Sequence, residues 1–170
     1  AVSMLVIRDL GELVAERGTD RCDIGGAKPR TILAVLCAHA GHPVSAATLI
    51  AEVWGPDAPE RTQRALESQI WRLRKALSPR GEASVIVTDR AGYRLDLSAA
   101  TVDSVDFDSA ASAALDESGT ATIDDLDDVL RRWRGEPFTT AISTPTVDQA
   151  RRRLISVRAA VLGRRADLLL

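Results

Sequence analysis

Between residues 60 and 80 lie six basic and two acidic side chains, and their spacing matters more than their number. At about 100° per residue, Leu66, Ile70, Leu73 and Leu77 fall on one helical stripe. The same arithmetic gathers Arg61, Arg64, Ser68, Trp71, Arg72 and Lys75 on the opposite side, with Glu67 and Arg74 at its flanks. A solvated helix face would intersperse carboxylates at i,i+4. Here guanidinium forks suit bidentate contact with phosphate oxygens or guanine edges. Of the basic residues only Lys28 and Lys75 are lysine, a bias that a GC-rich genome would produce equally well. Two further places offer the same chemistry. Ser45 and Thr48 open a preceding helix, where hydroxyls and unpaired backbone N–H groups receive a phosphate. Arg90 stands in the turn Asp89-Arg90-Ala91-Gly92, where it can enter a narrow minor groove of enhanced negative potential.

Residues for bond-making chemistry are missing. The two histidines, His39 and His42, are spaced i,i+3 without a nearby third ligand, and His39 is expected in a helix's last turn, where the dipole favours a cation. Asp124, Asp125, Asp127 and Asp128 lack the spacing of a calcium loop and read as dipole-favoured carboxylates at a helix start. Gly25-Gly26-Ala27-Lys28 is too short for a phosphate-binding Walker loop. Cys22 and Cys37 have no ligand spacing and read as buried thiols. No catalytic residue, metal or cofactor is expected.

The elements that position the basic face follow from the pattern. Ser3–Asp9, Glu12–Glu16 and Arg21–Ile24 read as a small antiparallel sheet. A first helix starts at Pro29 and runs to Gly41, a second runs from Ser45 to Gly55 with Ser45 as its cap, and the third spans Glu60 to Leu77. Val85–Thr88 and Tyr93–Leu97 form a hairpin. Trp54 is expected in the core, and Tyr93 is expected to pack the hairpin on the third helix. Beyond Ser98 the pattern is purely helical, over Val105–Glu117, Ile123–Arg134 and Thr146 to the end, with Trp133 in that region's core. The expected units are therefore 1–98 and 99–170.

The formal charge of −2 argues against a nucleic-acid partner when taken alone. Divided along the chain, it separates into +4 over residues 60–80 and −9 over residues 103–128, so the near-neutral total is a cancellation between surfaces. No apolar run approaches the roughly 18 residues needed to cross a bilayer, and no leader-like segment opens the sequence, so a cytoplasmic protein is expected.

Three helices followed by a hairpin is the layout of a winged helix-turn-helix, whose last helix enters the major groove. Val44-Ser45, Val53-Trp54-Gly55, Ile70-Trp71-Arg72-Leu73-Arg74-Lys75-Ala76-Leu77 and Thr88-Asp89-Arg90-Ala91-Gly92-Tyr93-Arg94-Leu95 resemble the DNA-binding domain of the OmpR/PhoB class. Val105-Asp106-Phe107, the stretch Leu130–Phe138 and the arginine-rich Gln149–Arg165 resemble the bacterial transcriptional activation domain, an all-α, TPR-like unit that is cut short here. The combination resembles the SARP family of transcriptional activators. The resemblance implies binding to promoter direct repeats, commonly as a side-by-side dimer, and recruitment of RNA polymerase through its sigma and alpha subunits, with Asp57 and Glu60 as candidate polymerase contacts. It also implies control of antibiotic genes. The alternative from the residues alone is a helical protein-interaction adaptor or a regulatory module of a larger regulator.

Overall fold

The structure, a computed structural model, describes residues 3–170. Strands β1 (Leu5–Arg8), β2 (Val14–Arg17) and β3 (Asp20–Cys22) form an antiparallel meander. Helices α1 (Ala27–Ala38), α2 (Ala46–Trp54) and α3 (Thr62–Leu77) follow, then the hairpin β4 (Ile86–Asp89) and β5 (Gly92–Leu95). A three-residue strand β6 (Ala100–Val102) pairs in parallel with β1, giving the sheet order β3-β2-β1-β6. Helices α4 (Asp103–Ala114), α5 (Ile123–Leu130) and α6 (Pro145–Leu168) complete the chain.

Several boundaries differ from the sequence reading. Helix α1 begins at Ala27, so Pro29 is its third residue; its missing N–H still falls among the amides that have no partner in a first turn. Helix α3 begins at Thr62 instead of Glu60, because the Thr62 amide donates to the Pro59 carbonyl in a turn that precedes the helix. Beyond Ser98 the chain is not purely helical. β6 is too short to show a period of two, and it forms only because the edge of β1 is open to it. The boundary expected after residue 98 lies just ahead of this strand. The first two residues of the expected 1–98 unit fall outside the described ones.

One hydrophobic core runs through both halves. It includes Leu5, Ile7, Ile32, Leu36 and Leu49, the α3 stripe Leu66, Ile70, Leu73 and Leu77, and Phe107, Leu126, Phe138, Val147 and Leu154 beyond it. Each fully buried aliphatic side chain of the α3 stripe contributes about 1.5–3 kcal/mol by removal from water. That burial is what turns the opposite face of α3 outward. Trp54 and Trp133, both expected in the core, are only partly buried against it. Lys28 Nζ lies 5.8 Å from the Trp54 ring centre, and Trp133 stands edge-on to Phe107 at 5.4 Å with Arg158 over its face.

The helical part is stitched to the front by polar bonds as well. The Asp9 carboxylate, fully buried, accepts from the Ser104 amide (2.8 Å) and hydroxyl (2.6 Å), and so satisfies the start of α4 from 95 residues away. Burial lifts Asp9 from an ordinary 3.8 to about 7, against the lowering effect of the Ser104 bonds. Arg134 donates to the carbonyls of Arg8 and Glu12, the Phe138 amide to Asp9, and Thr146 to Glu52 of α2.

Candidate nucleic-acid interface

Three devices fix the surface that the sequence singled out. Ser45 caps α2: its Oγ accepts from the Thr48 amide at 3.1 Å and donates to Thr48 Oγ1 at 2.9 Å. Both hydroxyls are therefore exposed but engaged with one another, and the amides of Ala46 and Ala47 are those left without an intrahelical partner. Val44, immediately before this cap, bonds reciprocally with Tyr93 of β5 (2.7 and 2.9 Å), which ties the start of α2 to the hairpin. Gly92, at φ 133°, permits this approach. A Cβ there would lie 2.1 Å from the Val44 carbonyl oxygen.

The second device is Arg74. Its Nε donates to the Ile86 carbonyl (3.1 Å), its Nη2 to Thr88 Oγ1, and its guanidinium lies 6.0 Å from the Tyr93 ring centre. Arg74, expected at the flank of the basic face, is thus the tie between α3 and the wing. The expected packing of the buried Tyr93 toward α3 is seen through the same contact. A third device was missed altogether. Arg17 of β2, almost wholly buried, donates to the carbonyl of Leu77 (2.7 Å) and to that of Ser3 (2.9 Å), placing a cation on the C-terminal end of α3. No local pattern marks an arginine in a strand as the cap of a helix 60 residues away.

On this frame Arg61, Arg64, Arg72 and Lys75 are exposed on α3 or at its start, and Arg90 is exposed at the turn of the wing. Among the described residues none of these five enters an ion pair. Arg64, Ser68, Trp71 and Arg72 line one shallow depression together with Glu67. Lys75 Nζ sits 4.2 Å from the centre of the Trp71 ring. Asp57 and Glu60 are exposed in the loop between α2 and α3 and do not line this depression.

The remaining titratable clusters have structural partners. Asp125 and Thr122 form a reciprocal cap on α5, Asp128 pairs with Arg131, and Asp127 pairs with Arg165. His39 caps the end of α1, and burial pushes its pKa down against the raising effect of the Glu52 carboxylate. Cys22 and Cys37 are buried thiols, both pushed upward chiefly by burial. Among the described residues no helix is long and apolar enough to cross a membrane.

Comparison with known proteins agrees with this architecture. The profile of the family described as "Transcriptional regulatory protein, C terminal" matches residues 25–95, the span from the start of α1 to the end of the wing. The transcriptional regulator RedD of Streptomyces coelicolor is 31% identical over 136 residues, covering 76% of this chain and 39% of RedD. The regulatory protein AfsR of the same organism is 29% identical over 164 residues, covering 94% of this chain and 16% of AfsR. The chain therefore spans less than half the length of these relatives. A solved structure of Mycobacterium tuberculosis EmbR, in complex with a low-affinity phosphopeptide, superposes with a TM-score of 0.80 at 23% identity, over 94% of this chain and 44% of that one, and shows the same fold. By name, RedD is a transcriptional regulator and AfsR a regulatory protein. The outward-facing basic helix thus lies within a matched OmpR/PhoB-type domain, and with RedD and AfsR as homologues the chain is similar to the SARP-type transcriptional regulators.

Proposed function

We propose that this DNA-binding regulator is a sequence-specific activator that binds promoter direct repeats, side by side as a dimer, and recruits RNA polymerase to an antibiotic gene cluster. The observation that carries the reading is the division of labour among the cations: Arg74 and Arg17 hold α3 in place, while among the described residues Arg61, Arg64, Arg72 and Lys75 along α3, and Arg90 at the wing turn, are exposed and form no ion pair. Unpaired surface cations cost self-repulsion in the free protein and recover it when phosphates are neutralised. In this reading α3 lies in the major groove, the amides opening α2 with Ser45 and Thr48 meet a phosphate, and Arg90 enters the flanking minor groove. Residues 1–98 act as the DNA-binding unit and 99–170 as the first part of a TPR-like activation domain, with Asp57 and Glu60 facing the polymerase sigma or alpha subunit. The protein works in the cytoplasm, on the nucleoid. Support for a regulatory role comes from the kinship with RedD and AfsR.

The test is a footprint on the DNA flanking the protein's own coding region, followed by titration of the protected duplex at several salt concentrations. Each neutralised phosphate adds about 0.9 to the slope of log affinity against log salt. The double change Arg64→Ala/Arg72→Ala is expected to lower that slope by roughly 1.8 together with the affinity. Unchanged slope and affinity would refute the DNA assignment.

A further inference from the structure

Among the described residues Trp71 is the only aromatic side chain left exposed, at 58%, and it stands on the helix that carries the unpaired cations. Covering a large apolar ring on binding is favourable in proportion to the area removed from water. Lys75, one turn further on, places its Nζ over one face, 4.2 Å from the ring centre. Ring edge and opposite face stay open beside Arg64, Ser68 and Arg72. The indole has a single N–H donor and no acceptor, so it is a poor reader of polar base edges. In the major groove the one apolar group displayed by the bases is the C5-methyl of thymine. Stacking of the ring between base pairs would require unstacking the duplex at a cost of a few kcal/mol, which contact with a methyl edge avoids.

We propose that Trp71, braced by Lys75, is a specificity-determining residue that reads a thymine methyl within the binding site. This rests on the DNA-binding reading and deepens it: the cations supply affinity for any duplex, and the tryptophan selects a thymine at one place in each half-site. Lys75 serves two purposes, since a cation over the outer ring face also lies near the phosphates that flank the groove.

The experiment uses the full chain and its footprinted duplex, with each thymine replaced in turn by deoxyuridine, which lacks only the methyl. Burial of one methyl-sized group is worth about 0.8 kcal/mol, so a single substitution at the contacted thymine is expected to weaken binding about fourfold, and one in each of two half-sites about fifteenfold. Trp71→Ala, an exposed change checked for folding by circular dichroism, is expected to bind the thymine duplex more weakly and to respond to none of the deoxyuridines. Trp71→Phe should retain part of the response, and Lys75→Gln should reduce it. If the intact protein is indifferent to every deoxyuridine, or if Trp71→Ala keeps the full response, the assignment to Trp71 is overturned while DNA binding stands. Absence of binding to any duplex would overturn both readings. Loss of self-association in Trp71→Ala, with no deoxyuridine response in either protein, would overturn it in favour of a contact between copies.

Discussion

Replacing Asp9 by asparagine isolates the polar latch between the sheet and the helical part. In the folded chain burial holds the Asp9 proton until about pH 7, whereas an exposed aspartate releases it near 3.8. Between those values the folded state binds more protons than the unfolded one, so Asp9 makes stability fall as pH rises. Its full contribution is present below about pH 4 and is lost by about pH 7; the span corresponds to a change on the order of 4 kcal/mol. Asparagine keeps an acceptor for the Ser104 amide, whose bond is 2.8 Å, but has no proton to lose. Urea unfolding of both proteins at several pH values from 4.5 to 7.5 removes the contributions of all other groups by difference. The stability of the parent minus that of Asp9→Asn is expected to decline by about 1.4 kcal/mol per pH unit through the middle of the range, with the variant more stable than the parent at the upper end. A difference that does not change with pH would refute the buried-carboxylate reasoning.

Other predictions concern the interface. Gly92→Ala forces the wing from Val44, because the new Cβ would meet backbone at 2.1 Å; a loss of about 2 kcal/mol or more and weaker DNA binding are expected, and an unchanged melting temperature would contradict this. Arg74→Met keeps the aliphatic stem but removes the bonds to Ile86 and Thr88, so stability should drop by about 1–3 kcal/mol with no change in the salt slope of binding. A slope reduced by about 0.9 would instead mark Arg74 as a phosphate contact. Arg90→Ala should weaken binding without altering the preferred major-groove sequence, as read by selection from random duplexes; a wholesale change in preference would show the wing placed wrongly. Asp57→Ala and Glu60→Ala should leave DNA affinity intact and lower promoter-specific transcription in a reconstituted assay. Equal losses in both assays would count against a polymerase contact.

Local pattern was enough to recognise much of this protein. The i, i+4, i+7, i+11 spacing of Leu66, Ile70, Leu73 and Leu77 dictates which face of α3 is buried, and so places Arg64, Ser68, Trp71 and Arg72 outside without any knowledge of the rest of the chain. The Ser45 cap and the Asp89–Gly92 turn were equally legible, since capping and turn chemistry act within four residues. Helix starts differ by two residues from the local pattern where a turn precedes α3 and where Pro29 reads as a first residue.

Long-range pairing decided the remainder. Ala100–Val102 has too few residues for a periodic signal and becomes a strand because β1 offers an unpaired edge. Arg17, Arg74 and Asp9 look locally like any charged residues, yet each is committed by partners 60, 12 and 95 positions away. A charge on a strand or a helix flank carries no mark of whether it faces water, phosphate or a buried carbonyl, because that depends on which chain segment packs beside it. The chemistry available to the recognition surface was thus written in residue types and helical period, whereas the choice of which cations remain free to use it belongs to the folded contacts.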